Sequence, residues 1–205
     1  MVDITERLEI IRKMVAKGDY FCINRGRQYG KTTTLEAISN TFSDQYCVFS
    51  ISFEGLSDST FADEEKLYSL FVWLLVQQFK WVPLKGLDEE VENEIKSFYD
   101  THRERCSEME LADFISTICH RNKKPLVLLI DEVDQAGNHV SFIKFLGLLR
   151  GIYLNRDVVP TFQSVILAGV YDIKNLKLKM RPEDLHQYNS PWNIAVPFDV
   201  DMSLS

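Results

Sequence analysis

At 205 residues and 23.8 kDa, with 45% apolar and 26% charged residues, the chain has the make-up of one folded domain of ordinary size. This excludes a disordered tail, a collagen-like repeat and a disulfide miniprotein. Its net charge of −7 and pI near 5.2 lack the footprint of a general nucleic-acid binder, so no direct nucleic-acid partner is expected.

The four cysteines, Cys22, Cys47, Cys106 and Cys119, are scattered without a CxxC pair. That spacing favours reduced thiols used as small buried fillers over a zinc knuckle or a disulfide ladder. The longest apolar stretch, Leu70 to Val76, falls far short of the roughly 20 residues of a membrane span. The start, MVDITERLEI, reads as no signal peptide. A cytoplasmic location with no membrane partner is therefore expected.

In chain order, Asp3 and Glu6 can form a capping box for a first helix, Ile4 to Ala16. Ile4, Leu8, Ile11 and Val15 share one stripe of it, and Gly18 stops it. A strand, Tyr20–Asn24, leads through RGRQYGKTTTLEAI into a second helix, Lys31 to Thr41. Tyr46–Phe53 is β-rich. From Glu54 to Lys124 no strand is convincing, and three helices are read: Asp63–Lys80, Asp88–Glu104 and Met109–Asn122. The first carries LFVWLLV, apolar all round, and is expected to be buried on more than one side.

Pro125–Ile130 is a continuous apolar run, the pattern of a strand covered on both faces in a parallel sheet. A helix, Val140 to Leu154, a strand, Phe162–Ala168, and a last strand, Asn193–Asp199, complete the reading. Strands separated by helices predict an α/β fold with a mainly parallel sheet. Such sheets bind ligands beyond the carboxyl ends of their strands.

Two motifs fall at that edge. Gly30-Lys31-Thr32-Thr33 stands where a strand gives way to a helix, offering unpaired N–H groups and the positive end of the helix dipole to phosphate. In that reading Gly30 permits close backbone approach, Lys31 reaches the β- and γ-phosphates, Thr32 ligates Mg²⁺ and Thr33 bonds the α-phosphate. Against the pattern G-x-x-x-x-G-K-[ST], the first glycine is replaced by Arg25, with Gly26 one step late. Arg25 and Arg27 either neutralise phosphate or are solvated loop charges. The candidate nucleotide-binding set is Arg25, Gly26, Arg27, Gln28, Tyr29, Gly30, Lys31, Thr32 and Thr33.

The second motif is an apolar strand that ends in Asp131-Glu132. Adjacent strand residues point to opposite sides, so the two acids can serve different targets. Asp131 suits the Mg²⁺ shell through water, and Glu132 suits polarising a water that attacks the γ-phosphate. Lys31 and Glu132 are thus the candidate catalytic residues, and Thr32 and Asp131 the metal-binding ones. Asp134 reads as a turn acid. The histidines, His102, His120, His139 and His186, lack metal-ligand spacing and read as surface or packing groups. Trp73, Trp81 and Trp192 read as core or rim aromatics.

The runs YFCINRGRQYGKTTTL, PLVLLIDEVDQ, TFQSVILAGVYDIKNLKLK and SPWNIA together resemble the bacterial AAA-ATPase-like family. This is a branch of the P-loop NTPases (ASCE division), related to archaeal and STAND-type ATPases. The resemblance covers essentially the whole chain, and the family tolerates Arg at the first loop glycine. It implies a three-layer sandwich with a five-stranded sheet of order 5-1-4-3-2 and a helical insertion, about residues 56–124, between strands 2 and 3.

The resemblance also implies ATP and Mg²⁺ as ligands, with Lys31 and Thr32 on phosphate and metal and Asp131 and Glu132 as the acid pair. Relatives commonly continue into a C-terminal helical or PD-(D/E)XK nuclease-like domain, whereas this chain stops at Ser205 and reads as an ATPase core without a lid. An effector domain or further copies of the chain are the partners that follow. A sensor role would fall to Tyr171 or Asp172, and Arg181 is a candidate finger beside Lys174, Lys177 and Lys179.

The expected function is Mg²⁺-dependent ATP binding and slow hydrolysis that drives a conformational switch. The alternative is a nucleotide-binding scaffold with negligible turnover, which the altered loop glycine favours. A small-molecule kinase is a third reading, disfavoured by the absence of an arginine-rich lid. No Asn-Lys-x-Asp guanine reader supports a GTPase.

Overall fold

A computed structural model describes residues 4–24, 31–137 and 139–169, with backbone only at 4–7, 24, 31–36, 134 and 135. Seven helices and four strands follow in chain order within them: α1 (Ile4–Lys17), β1 (Phe21–Asn24), α2 (Lys31–Phe42), β2 (Cys47–Ser52), α3 (Glu64–Gln77), α4 (Glu89–Thr101), α5 (Glu108–Arg121), β3 (Leu126–Asp131), α6 (Val133–Ala136), α7 (Val140–Leu154) and β4 (Ser164–Gly169). A single 3-10 turn, Asp58–Thr60, interrupts the β2–α3 connection.

The described strands form one parallel sheet in the order β1-β4-β3-β2. The α/β class and the parallel sheet are as expected. Among the described residues the sheet has four strands, in the order 1-4-3-2, where five in the order 5-1-4-3-2 were expected; the expected fifth, Asn193–Asp199, lies outside the described residues.

Alternation along the strands divides the core in two. Phe21, Ile23, Val48, Val127, Leu129, Ile166 and Ala168 face Ile11 and Val15 of α1 and Ile38 and Phe42 of α2. Cys22, Cys47, Phe49, Ile51, Leu126, Leu128, Ile130, Val165 and Leu167 face the other way, into a core shared with α3, α5 and α7. The sheet is therefore a middle layer, which explains why β3 reads as apolar at every position up to its acidic tip.

Local rules set most boundaries. Gly18, at φ 80°, ends α1 in the left-handed conformation: its N–H donates to the Val15 carbonyl and the Asp19 N–H to that of Met14, both at 3.0 Å. Ser107 and Glu110 form a reciprocal capping box, which starts α5 at Glu108, one residue before the expected Met109. Asp63 proves to be the N-cap of α3, accepting from the Glu65 N–H at 3.0 Å.

Helix α4 stops at Thr101 rather than Glu104. There the buried Ser69 hydroxyl of α3 donates to the carbonyls of His102 (2.6 Å) and Arg103 (2.7 Å), satisfying groups that another helical turn would have used.

Helix α3 packs against β2, α4, α5 and α7 and buries Leu67, Tyr68, Phe71, Val72 and Leu75. Burial on more than one side is thus found, but Leu70 is only half-buried and Trp73 remains 36% exposed. Trp81 is a surface residue at 82% exposure, and Trp192 lies outside the described residues. No disulfide joins the four cysteines; burial pushes the thiols of Cys47 and Cys106 up to about 12, far from the reactive thiolate. No described helix is long and apolar enough to cross a membrane.

Candidate functional site

Because all four strands are parallel, Asn24, Ser52, Asp131 and Gly169 end at one edge of the sheet. The tips of β1 and β3 stand two strand spacings apart with β4 between them, roughly 10 Å. Asn24, the last residue of β1, stands at that edge.

The course of α2 then follows from its far end. Tyr46, next to the start of β2, donates its N–H to the Phe42 carbonyl at 2.9 Å, so the C-terminus of α2 lies at the amino edge. Twelve helical residues rise about 18 Å, close to the length of a six-residue strand. Lys31, the first residue of α2, is thereby carried back to the carboxyl edge.

Asp131 continues the alternation of Val127 and Leu129, which places it on the α2 face of the sheet. It is half-buried and pairs in register with Ser52, on the same face. Its carbonyl accepts from the Phe53 N–H at 3.1 Å, which fastens the tip of β3 to that of β2. Its Oδ1 accepts from the Glu132 N–H at 2.8 Å, so the carboxylate is oriented by the backbone that follows it.

Glu132 has φ 54°, the one positive value at a non-glycine residue among those described. The left-handed conformation costs about 1–2 kcal/mol at such a residue. Here it turns the chain abruptly from β3 into α6. Side-chain alternation stops at that point, so the second acid is placed by this turn and not by the strand.

The other predicted site residues divide clearly. Lys31, Thr32 and Thr33 open the first turn of α2, the expected junction, where helix N–H groups lack intrahelical partners. Arg25, Gly26, Arg27, Gln28, Tyr29 and Gly30 lie outside the described residues, as do Tyr171, Asp172, Lys174, Lys177, Lys179, Arg181 and His186. Asp134 falls within α6.

His102 stacks on Phe98 (centroids 4.0 Å apart), His139 stacks on Phe61 (4.9 Å) with Nε2 3.7 Å from an Asp58 carboxylate oxygen, and His120 is exposed. Among the described residues no group of three or more His, Cys, Asp or Glu side chains is arranged to hold a metal ion by itself. A cation at this edge would need oxygens from a ligand or water besides Asp131, which fits a carboxylate acting with phosphate.

Two features here escaped the sequence reading. Ser52 flanks Asp131, and its Oγ accepts from the Glu54 N–H at 3.1 Å, shaping the exit from β2. That exit is tied to the start of α7: Phe53 packs edge-on against Phe61 and Phe142, and the Ser141 hydroxyl donates to the Phe61 carbonyl at 2.6 Å. A serine at the end of a β-rich run is the only signal of it in the sequence, and a weak one.

A parallel sheet with helices on both faces, a helix N-terminus returned to its carboxyl edge and an oriented carboxylate on the same face define an α/β ligand-binding domain of the doubly wound kind. The family model for an AAA-like domain matches residues 4–201, and the chain belongs to that family. Membership points to a nucleotide-binding, ATPase-like function. No curated protein matches the chain.

Proposed function

We propose that the chain binds ATP with Mg²⁺ at the carboxyl edge and hydrolyses it slowly, acting as a switch for a C-terminal or partner domain. The observation that carries this reading is the position of Asp131: at the tip of β3, on the α2 face, one strand removed from β1. In the full layout proposed, Asn193–Asp199 adds a fifth strand beside β1, giving the order 5-1-4-3-2 within a single ATPase core.

Each residue then has a task. The amides from Arg25 to Thr33 cradle phosphate, with Arg25 and Arg27 adding charge. Lys31 neutralises the β- and γ-phosphates, and the Thr32 hydroxyl and Asp131 hold the cation, Asp131 through water. Mg²⁺, when bound, supplies positive charge against the phosphate oxygens. Glu132 accepts a proton from the attacking water.

The test is an ATP and GTP titration with and without Mg²⁺, followed by phosphate release from wild type, Lys31→Ala and Glu132→Gln. Hydrogen bonds to charged groups contribute about 1.5–3 kcal/mol, so Lys31→Ala should weaken ATP binding roughly 10- to 100-fold. Glu132→Gln should bind ATP normally and release phosphate about 10²–10⁴-fold more slowly. Equal rates in all three proteins would overturn the hydrolytic role. Tight Mg²⁺-dependent binding with no turnover in wild type would select the scaffold reading, which Arg25 in place of the first loop glycine favours.

A further inference from the structure

Helix α6 holds four residues, too few to be stable on its own hydrogen bonds. It follows Glu132 at φ 54°, and a non-glycine residue keeps that conformation only where its surroundings over-determine it. Val133 and Ala136 are buried and hold the inner side of α6 against the core. Its far end is held differently. The Ala136 carbonyl accepts from the His139 N–H at 3.0 Å, so the position of His139 sets where α6 stops.

His139 is the N-cap of α7, where serine, threonine, aspartate or asparagine ordinarily bonds to the helix amides. Its side chain makes no such bond. The imidazole turns instead onto Phe61, stacked with centroids 4.9 Å apart and planes 19° from parallel. Phe61 meets the Phe53 ring edge-on at 5.9 Å, and the Phe53 N–H donates to the Asp131 carbonyl at 3.1 Å. The contacts close a circuit: from Asp131 through Glu132 and α6 to His139, then through Phe61 and Phe53 back to Asp131.

The stack is the link that matters at His139. An Asp58 oxygen stands 3.7 Å from Nε2, too far for a hydrogen bond, on a side chain that is 99% exposed, where an ion pair contributes little. The Ser141 hydroxyl on the Phe61 carbonyl and the Phe142 ring against Phe53 lie beyond His139 in the chain, so they fix α7 rather than α6.

We propose that His139 is a positioning residue for Glu132: its ring, clamped on Phe61, holds the end of α6 and thereby keeps the left-handed turn in which Glu132 leaves the tip of β3. The effect on turnover rests on the proposed role of Glu132 toward the attacking water. The effect on the turn does not, and it is measurable without nucleotide.

The experiment follows amide hydrogen exchange along the full chain, without nucleotide, in wild type, His139→Ala, His139→Phe and Asp58→Asn. In His139→Ala, exchange at residues 132–136 should quicken about tenfold while the amides of β2 and β3 keep their protection. His139→Phe retains a ring for the stack and should return residues 132–136 to within about twofold of wild type, and Asp58→Asn should leave them unchanged. In ATP hydrolysis, His139→Ala should lower kcat about tenfold with KM within about twofold, and His139→Phe should recover most of the loss.

Unchanged exchange at residues 132–136 in His139→Ala would overturn the proposal. So would a rise spread evenly over β2 and β3, which is general loss of stability, or a His139→Phe variant as loose as His139→Ala. An active wild type whose kcat survives the loosened turn would overturn the link to Glu132. A wild type with no turnover would defeat the hydrolytic reading alone, and the exchange comparison would still decide whether His139 holds the turn.

Discussion

The two edges of the sheet are built on different terms. At the amino edge the connections are cross-tied. Cys47 donates to the Pro125 carbonyl at 3.1 Å and Gln163 to that of Leu126 at 2.8 Å, while the Ser164 hydroxyl reaches the Asp19 carbonyl and the Lys124 ammonium that of Ser43. Asn122, only 6% exposed, joins the α3–α4 and α5–β3 connections: its Nδ2 donates to the carbonyls of Gly86 (3.0 Å) and Lys124 (2.7 Å), and its Oδ1 accepts from the Asp88 N–H at 2.9 Å. At the carboxyl edge the sheet instead presents Asp131, the strained turn at Glu132 and the start of α2. Polar groups at the amino edge tie distant connections together, whereas the ties at the carboxyl edge (Phe53 N–H to the Asp131 carbonyl, Glu132 N–H to Asp131 Oδ1) hold a half-buried carboxylate at the strand tips. The comparison predicts that substitutions at the amino edge cost stability and spare binding, while those at the carboxyl edge do the reverse.

Asn122→Ala should show the largest effect. It removes three hydrogen bonds at a buried site, each with a net contribution near 1 kcal/mol, so a loss of about 2–3 kcal/mol is expected in denaturant unfolding. ATP affinity, measured below the unfolding transition, should stay within about twofold of wild type. A loss of affinity as large as that of Lys31→Ala would break the comparison.

Glu132→Gly should have a smaller effect of opposite sign. Glycine adopts φ 54° without the side-chain clash, and the relief outweighs the entropy that glycine loses, leaving a gain of about 0.5 kcal/mol. Phosphate release should fall as far as in Glu132→Gln. A variant that is less stable but still active would place the strain at Glu132 outside the function of this edge.

Legibility in the sequence depends on whether the signal is local. The apolar run into Asp131 announces a central strand, and the alternation of strand and helix is enough to bring its tip and the start of α2 at Lys31 to one edge. Helix α7 runs from Val140 to Leu154, as its 3.6-residue period demands. Where a distant segment decides, the sequence is silent.

The early end of α4 depends on Ser69, more than thirty residues away. The one-turn pieces at Asp58–Thr60 and Val133–Ala136 are too short to show a period. The LFVWLLV stretch conceals which side it exposes, since nothing in its composition separates Leu70 and Trp73 from Phe71 and Val72; only the packing of the neighbouring elements does. The left-handed turn at Glu132 is equally hidden, because a glutamate carries no propensity for it.

The mildest test returns to the amino edge and uses pH. The Lys123 N–H donates to Asp88 Oδ2 at 2.6 Å, and that hydrogen bond, ahead of the Lys123 ammonium 3.4 Å from Oδ1, holds the Asp88 carboxyl below its ordinary range. A carboxyl depressed in the folded state is protonated first in the unfolded chain. Below the ordinary value of about 3.9 the unfolded state therefore binds more protons, and stability falls with pH. The contribution is complete above that value and is lost as pH drops through the folded one. Asp88→Asn keeps an oxygen for the Lys123 N–H but no charge. Its stability deficit should be constant from neutral pH down to about pH 5 and should close on further acidification. A deficit that persists unchanged at pH 2 would mean that the tie between α4 and the α5–β3 connection works by shape alone. The amino edge would then owe its firmness to packing and neutral hydrogen bonds, with ionised ones adding nothing.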